Sequence, residues 1–208
     1  VIKLIDYGVG NIQAFLNVFK RLGIPAEAVS TPEALQGVTH LILPGVGAFD
    51  HAMTLFNQSG LRDSVEQLVL ADKIPIIGIC VGMQMLASGS EEGTMAGLNW
   101  IPGQVRSFMS NPQSRHLPMP HMGWNDVKQR TDSALTSNFI SESKFYFLHS
   151  YYFDCADKSD VIATAEYGFE FDCIVGRENI FGIQCHPEKS HSSGLTLLKN
   201  FSEIGNHA

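Results

Sequence analysis

Ile76-Ile77-Gly78-Ile79-Cys80-Val81-Gly82-Met83-Gln84 is the stretch that decides how this chain folds. From Ile74 to Ile79 it is a nearly continuous β-branched apolar run, the pattern of a strand buried on both faces of a parallel sheet. The spacing from Val81 to Ala87 predicts a helix. A strand therefore ends at Cys80 and a helix starts directly after it. Gly78 and Gly82 lie two residues to either side, and small neighbours are what a sharp, strained strand-to-helix turn requires. Such a turn projects the sulfur from the carboxyl edge of the sheet, where open α/β sheets bind ligands. The helix N-terminus beneath it would favour the thiolate and offer backbone N–H groups to an oxyanion. Buried cysteines more often serve as small hydrophobes, but the two glycines at a strand–helix junction point to the nucleophile elbow of hydrolases.

Upstream of this turn, short apolar runs alternate with helical patterns. Strands are predicted over Val1–Ile5, Ala26–Val29 and His40–Leu43, the last stopped by Pro44. Helices are predicted over Asn11–Leu22, ended by Gly23 and Pro25, and over Leu61–Leu70. Strands alternating with helices imply right-handed crossovers and a largely parallel sheet. Downstream the character changes. Phe145–Leu148, Val161–Glu166, Phe171–Val175 and Ile180–Cys185 read as short strands with tight polar turns, so antiparallel pairing is expected there. Met109–Pro120, rich in Ser, Asn, Gln and Pro, reads as a surface loop, and a final helix is predicted over Ser192–Ile204.

Composition narrows the function. The 208 residues suit one domain, and 44% hydrophobic residues can fill its core. A net charge of −7 with only 14 Lys and Arg argues against a nucleic-acid binder, which needs a basic stripe to neutralise phosphates. No run of about 18 apolar residues predicts a membrane span. Val1-Ile2-Lys3-Leu4-Ile5 lacks the features of a secretory leader and is expected to be a first strand. Cys80, Cys155, Cys173 and Cys185 show no CxxC pairing and no zinc-like spacing, which fits a reducing, cytoplasmic setting without cofactor or metal. A zinc site from His116, His121 and a cysteine has weak spacing.

A thiol nucleophile needs a base, and the base needs an orienting carboxylate. Of eight histidines, His186 stands out: it ends the run Ile180-Phe181-Gly182-Ile183-Gln184-Cys185 and precedes Pro187-Glu188. On an extended segment, residues two apart share a face. His186 and Glu188 can then project together, Glu188 holding the imidazole tautomer, while Cys185 points away from the pocket. A strand-end histidine beside a solvated glutamate would explain either residue alone, but not the pair together with the Cys80 turn.

These residues resemble the class I, triad-type glutamine amidotransferases: Gly78-Ile79-Cys80-Val81-Gly82-Met83-Gln84 with His186-Pro187-Glu188. Pro44-Gly45-Val46-Gly47, Pro120-His121-Met122-Gly123-Trp124-Asn125 and His149-Ser150-Tyr151-Tyr152 look like the glutaminase subunits of imidazole glycerol phosphate synthases. The resemblance runs from Asp6-Tyr7-Gly8 to Leu197-Leu198-Lys199-Asn200-Phe201, so residues 1–208 are expected to be a single glutamine amidotransferase domain. It implies a flavodoxin-like α/β fold, with a mostly parallel central sheet, helices on both faces and an antiparallel C-terminal extension. It also implies roles. Cys80 would attack the side-chain amide of L-glutamine and form a glutamyl thioester. His186 would move the protons, and Glu188 would orient His186. Val46, Gly47 and Val81 would hold the oxyanion after the 44–47 segment rearranges, a change that Gly45 and Gly47 make inexpensive. Gln84, Glu92, His149 and Ser150 would hold glutamine. Trp124, Asn125, Tyr146 and Lys189 would line the ammonia exit and the interface with a partner, a cyclase of the (β/α)₈-barrel type in histidine biosynthesis.

The chain departs from the pattern at Cys185, where an aromatic residue is usual, and at Val81, where leucine is usual. The tail from Pro187 to Gly194 and the strand from Val161 to Gly168 also resemble paralogues that supply ammonia for amidating surface-polysaccharide sugars. Two further readings compete: a silent scaffold that keeps the fold, and another hydrolase on the same elbow, such as a cysteine peptidase. Retention of Cys80, His186 and Glu188 argues against the scaffold. Gln84, Glu92 and His149-Ser150 favour glutamine over peptide. Pro44-Gly45-Val46-Gly47 lacks the spacing and the following Lys-Ser/Thr of a phosphate cradle.

Overall fold

The computed structural model describes residues 1–139 and 143–205. In the first half β1 (Ile2–Ile5), α1 (Ile12–Leu22), β2 (Ala26–Val29), β3 (His40–Gly45), α2 (Phe49–Gln58), α3 (Arg62–Glu66), β4 (Ile76–Cys80) and α4 (Val81–Met85) follow in order. The second half carries β5 (Gly89–Ser90), β6 (Gly103–Ser107), β7 (His121–Asp126), β8 (Lys128–Gln129), β9 (Lys144–His149), β10 (Tyr151–Cys155), β11 (Val161–Glu166), β12 (Glu170–Arg177), β13 (Ile180–Ile183) and α5 (His191–Glu203).

The central sheet has the order β2-β1-β3-β4-β13-β12-β10-β6-β5. Its first five strands are mutually parallel, which is the doubly wound arrangement expected from the sequence. β4 is central and buried along its whole length, as its unbroken apolar run requires. β12 then pairs antiparallel with β13, β10 and β11, forming the antiparallel extension. β13 is therefore mixed: antiparallel to β12 and parallel to β4. β7 and β9 form a separate two-stranded ribbon.

Local chemistry explains most boundaries. The Asn11 side chain accepts the Ala14 N–H at the start of α1, and Gly23 ends it in the left-handed region (φ 68°). α1 buries Phe15, Val18 and Phe19. β3 does not stop at Pro44 but runs on to Gly45, in register with Cys80. The proline is tolerated because pairing with β1 has already ended at Ile42, and the Pro44 carbonyl takes the Tyr7 hydroxyl instead (2.7 Å). The helix predicted over Leu61–Leu70 is α3 followed by one wide π turn, Gln67–Ala71. α2, β6, β7 and β10 were not anticipated. α2 buries Phe49, Ala52, Met53 and Phe56 at helical spacing but starts at Ala48, which offers no side-chain cap.

Candidate active site

Four adjacent parallel strands end at one edge of the sheet and deliver the site. Tyr7 follows β1, the 44–47 segment closes β3, Cys80 ends β4, and Gln184, Cys185 and His186 follow β13. Cys80 sits at φ 56°, ψ −114°, a strained conformation for a residue with a side chain. Its neighbours must be glycine for a steric reason. A Cβ on Gly82 would lie 1.9 Å from the Leu43 carbonyl oxygen, and one on Gly78 would lie 2.5 Å from the Gly82 carbonyl oxygen. The glycines thus let the α4 backbone press against β3 and β4 while the sulfur is turned outward.

A cavity of about 250 Å³ opens over the sulfur. Gly47, Cys80, Val81, Gln84, Glu92, Pro120, Leu148, His149, Ser150 and Tyr151 line it. Gln84, Glu92, His149 and Ser150, singled out in the sequence, are therefore brought together with the nucleophile candidate. Glu92 accepts the Phe49 N–H (3.0 Å); burial raises its carboxyl pKa against that bond, with Asp50 adding to the rise. Val46 is exposed and Gly47 adopts φ 84°, so the segment after β3 bends away at the cavity mouth.

His186 is buried within hydrogen-bonding reach of the Cys80 thiol. Its Nδ1 lies 2.9 Å from Glu188 Oε1. The two do not share a face of an extended strand as predicted: β13 ends at Ile183, and Pro187–Lys189 is a 3₁₀ turn. The turn brings the carboxylate back to the imidazole at the same spacing. Burial pushes the His186 pKa down, but hydrogen bonds and charge from Cys80 and Glu188 outweigh it and raise it to about 9. The backbone of His186 is fixed as well: its N–H donates to the Tyr146 carbonyl (2.9 Å), and its carbonyl accepts Ser190 Oγ (2.6 Å). Cys185 is fully buried and does not line the cavity.

One wall is a polar chain embedded in aromatic rings. His149 Nδ1 lies 2.7 Å from the Tyr151 carbonyl, which can only accept, so Nδ1 carries the proton. His149 Nε2 must then accept from His121 Nδ1 (2.9 Å), and His121 Nε2 accepts from Asn125 Nδ2 (3.2 Å). Phe147 and Tyr167 stack on His121, and Phe108 and Phe171 pack against His149. Burial lowers the pKa of His121 to about 4 and of His149 to about 3, so both are neutral. His121 is thus committed to this chain, and among the described residues no cluster suited to a metal ion is present.

Outside the cavity, Trp124 pairs across the ribbon with Tyr146, their rings edge-on at 6.1 Å. Lys189 Nζ lies 5.8 Å from the Tyr146 ring centre, and His191 stacks flat on Trp124 at 5.1 Å. Asn125 is separated from this group: it alternates to the inner face of β7, where Nδ2 donates to the Glu166 carbonyl (2.7 Å) and to His121.

Three contributors escaped the sequence reading. Tyr7 pins the Pro44 carbonyl beneath the cavity. The Tyr151 carbonyl anchors His149. Gln184, fully buried, reaches Cys80; its signal was a lone amide inside an apolar run.

The family described as glutamine amidotransferase class-I matches residues 3–204. The chain is 54% identical over 204 residues to the imidazole glycerol phosphate synthase subunit HisH of Bdellovibrio bacteriovorus, covering 98% of this chain and all of that one. It is 49% identical to the subunit of the same name from Leptospira interrogans, with the same coverage. Among solved structures, a glutamine amidotransferase crystal structure superposes with a TM-score of 0.73 at 21% identity, covering 98% of this chain and 97% of that one. That last likeness speaks to the fold alone.

Proposed function

The chain belongs to the class I glutamine amidotransferases, and on that premise we propose that it is the glutaminase subunit of an imidazole glycerol phosphate synthase, with Cys80, His186 and Glu188 as its catalytic triad. The observation that carries this reading is the convergence, at one sheet edge, of a strained cysteine, a buried histidine and a buried carboxylate.

At neutral pH His186, its pKa raised to about 9, already holds the proton, and Cys80 Sγ attacks the carboxamide carbon of L-glutamine as the thiolate paired with it. The negative charge moves to the carboxamide oxygen, where the Val81 N–H and a donor from Val46 or Gly47 receive it. His186, with a pKa of about 9, keeps the proton at neutral pH until it passes it to the leaving nitrogen. Ammonia departs and a glutamyl thioester remains. His186 then takes a proton from water, the resulting hydroxide attacks the thioester, and glutamate leaves as the C–S bond breaks. Glu188 keeps Nδ1 protonated and the ring aimed at sulfur throughout. Gln84, Glu92 and Ser150 hold the amino-acid end of the substrate, and His149, both of whose ring nitrogens are already engaged, shapes the wall beside them.

The chemistry calls for a partner. Ammonia released into water at neutral pH is mostly ammonium, which is not a nucleophile, so a biosynthetic glutaminase must pass it along a sheltered path. Met122, Trp124 and Leu148 expose apolar surface on the ribbon beside the cavity, with Val46 also exposed at its mouth. This face fits a (β/α)₈-barrel cyclase that consumes the ammonia, with Trp124, Tyr146 and Lys189 at the exit. The shared name of the relatives supports histidine biosynthesis, a cytoplasmic pathway, over sugar amidation. Among the described residues no helix is long and apolar enough to cross a membrane.

Glutamate release by the subunit alone, and with the cyclase and its nucleotide substrate, tests the proposal. A rise of orders of magnitude on adding the loaded cyclase is expected, as the 44–47 segment reaches its oxyanion-binding form. Full activity of the lone subunit, unchanged by the cyclase, would contradict it.

A further inference from the structure

Gln184 has no part in the triad, yet its side-chain Nε2 lies 3.7 Å from Cys80 Sγ, within hydrogen-bonding distance of sulfur. It is completely buried, one residue beyond the end of β13. A primary amide can in principle turn either its oxygen or its NH₂ to a neighbour, and only the surrounding network decides which. Here the network decides. Gln84 Nε2 lies 3.4 Å from the Tyr151 carbonyl oxygen, which can only accept. The same Nε2 lies 3.0 Å from Gln184 Oε1. Gln184 therefore gives its oxygen to Gln84 and its NH₂ to sulfur. The atom that sets this direction is itself fixed, because the Tyr151 carbonyl also accepts His149 Nδ1.

We propose that Gln184 is a catalytic residue whose amide N–H stabilises the Cys80 sulfur as a thiolate, with Gln84 and the Tyr151 carbonyl fixing the direction of donation. The inference rests on Cys80 being the nucleophile. The titratable groups that face this sulfur are His186, with Glu188 behind it, from the turn after β13; Tyr7 from the loop after β1; Cys185 beneath; and Glu92 and His149 in the same cavity. Of these only His186 brings positive charge to the sulfur, and it gains and loses a proton during the reaction. A neutral amide does not change charge. It stabilises the sulfur anion both when it attacks and when it leaves from the thioester. In a buried site such a donor is worth more than it would be in water.

The test is the pH dependence of Cys80 alkylation by iodoacetamide, followed at the level of the Cys80 peptide by mass spectrometry, in the full chain and in Gln184→Met. Methionine keeps the bulk and removes the donor, while Gln84 retains the Tyr151 carbonyl. The midpoint should rise by about one to two pH units, the worth of one hydrogen bond to a charged group. In the complex with the cyclase, kcat should fall about tenfold or more, with KM for glutamine nearly unchanged. A purely structural glutamine would lower stability without moving the midpoint, and an unchanged midpoint overturns the inference. If Gln184→Met does not fold, the wild-type chain labelled with ¹⁵N-glutamine decides. The Gln184 side-chain amide resonance should shift with Cys80 ionisation, and an amide indifferent to it overturns the inference. Wild-type labelling at Cys80 by a diazoketone analogue of glutamine separates the two levels. With no label, the nucleophile assignment fails and Gln184 falls with it. With label but a wild-type-like Gln184→Met, only the role of Gln184 fails.

Discussion

His186 Nδ1 lies 2.9 Å from Glu188 Oε1, with both side chains buried and the two residues joined by a single proline. The other carboxylate oxygen, Oε2, is buried without a donor among the described residues, so the imidazole carries the stabilisation of this carboxylate. Glu188→Gln should therefore lower kcat by roughly 10²- to 10⁴-fold while KM for glutamine moves only slightly, because orientation is lost but no reacting atom is removed. Steady-state glutaminase kinetics with the partner present will check this. The His186 pKa should also fall from about 9, readable by NMR titration.

The elbow makes a steric prediction. Gly82→Ala places a methyl group 1.9 Å from the Leu43 carbonyl oxygen, a backbone atom of the central sheet that cannot swing aside. Loss of about 1–3 kcal/mol or more is expected, together with loss of Cys80 alkylation. Urea unfolding monitored by circular dichroism measures the first. Wild-type stability in this variant would mean that α4 does not press on β3 as described.

The two wall histidines give stability a definite pH dependence. Folding holds His121 near pKa 4 and His149 near 3, against about 6.5 in an unfolded chain. Between those values the unfolded chain binds protons that the folded chain refuses. Their contribution is complete above about pH 6.5 and is lost as pH falls through about 4 for His121 and about 3 for His149. His186 has the opposite sign. Its folded pKa of about 9 makes its contribution complete below about pH 6.5 and lost as pH rises through 9. Urea midpoints should therefore decline on both sides of neutrality. In His121→Phe, which lacks one of the two buried imidazoles, the acid decline should be shallower.

Trp124 is half exposed and held flat against His191. If this face meets the cyclase, Trp124→Ala should weaken the complex by about tenfold or more, as loss of an aromatic anchor does. Calorimetric titration with the cyclase measures the loss. Cys80 alkylation in the lone subunit should stay unchanged, since Trp124 does not line the cavity.

The parallel half of the fold was legible because burial on both faces leaves an unmistakable mark: Ile76–Ile79 has no polar residue to confuse the period. The stop of α1 at Gly23 was legible because glycine readily takes the left-handed conformation that ends a helix, whereas Asn11, read as the first helical residue, is its cap. α2 was missed because Ala48 gives no start signal, although Phe49, Ala52, Met53 and Phe56 keep helical spacing. β7 and β10 were missed because their aromatic and polar residues face an aromatic cluster assembled from distant segments, which no local window contains. Among the candidate site residues, Cys80 and His186 stood out in the sequence because each ends an apolar run, and Glu188 because it follows His186 by two. Gln184 could not be assigned a role, because its meaning depends on Gln84 and Tyr151, which lie far from it in the chain.

The most direct test is to mix the chain with glutamine and the loaded cyclase, quench in acid, and read the intact mass and the Cys80 peptide. A glutamyl adduct on Cys80 in the wild type, with neither adduct nor glutamate release in Cys80→Ala, is the predicted result. Glutamate release that persists in Cys80→Ala, or an adduct on a different residue, would contradict the account.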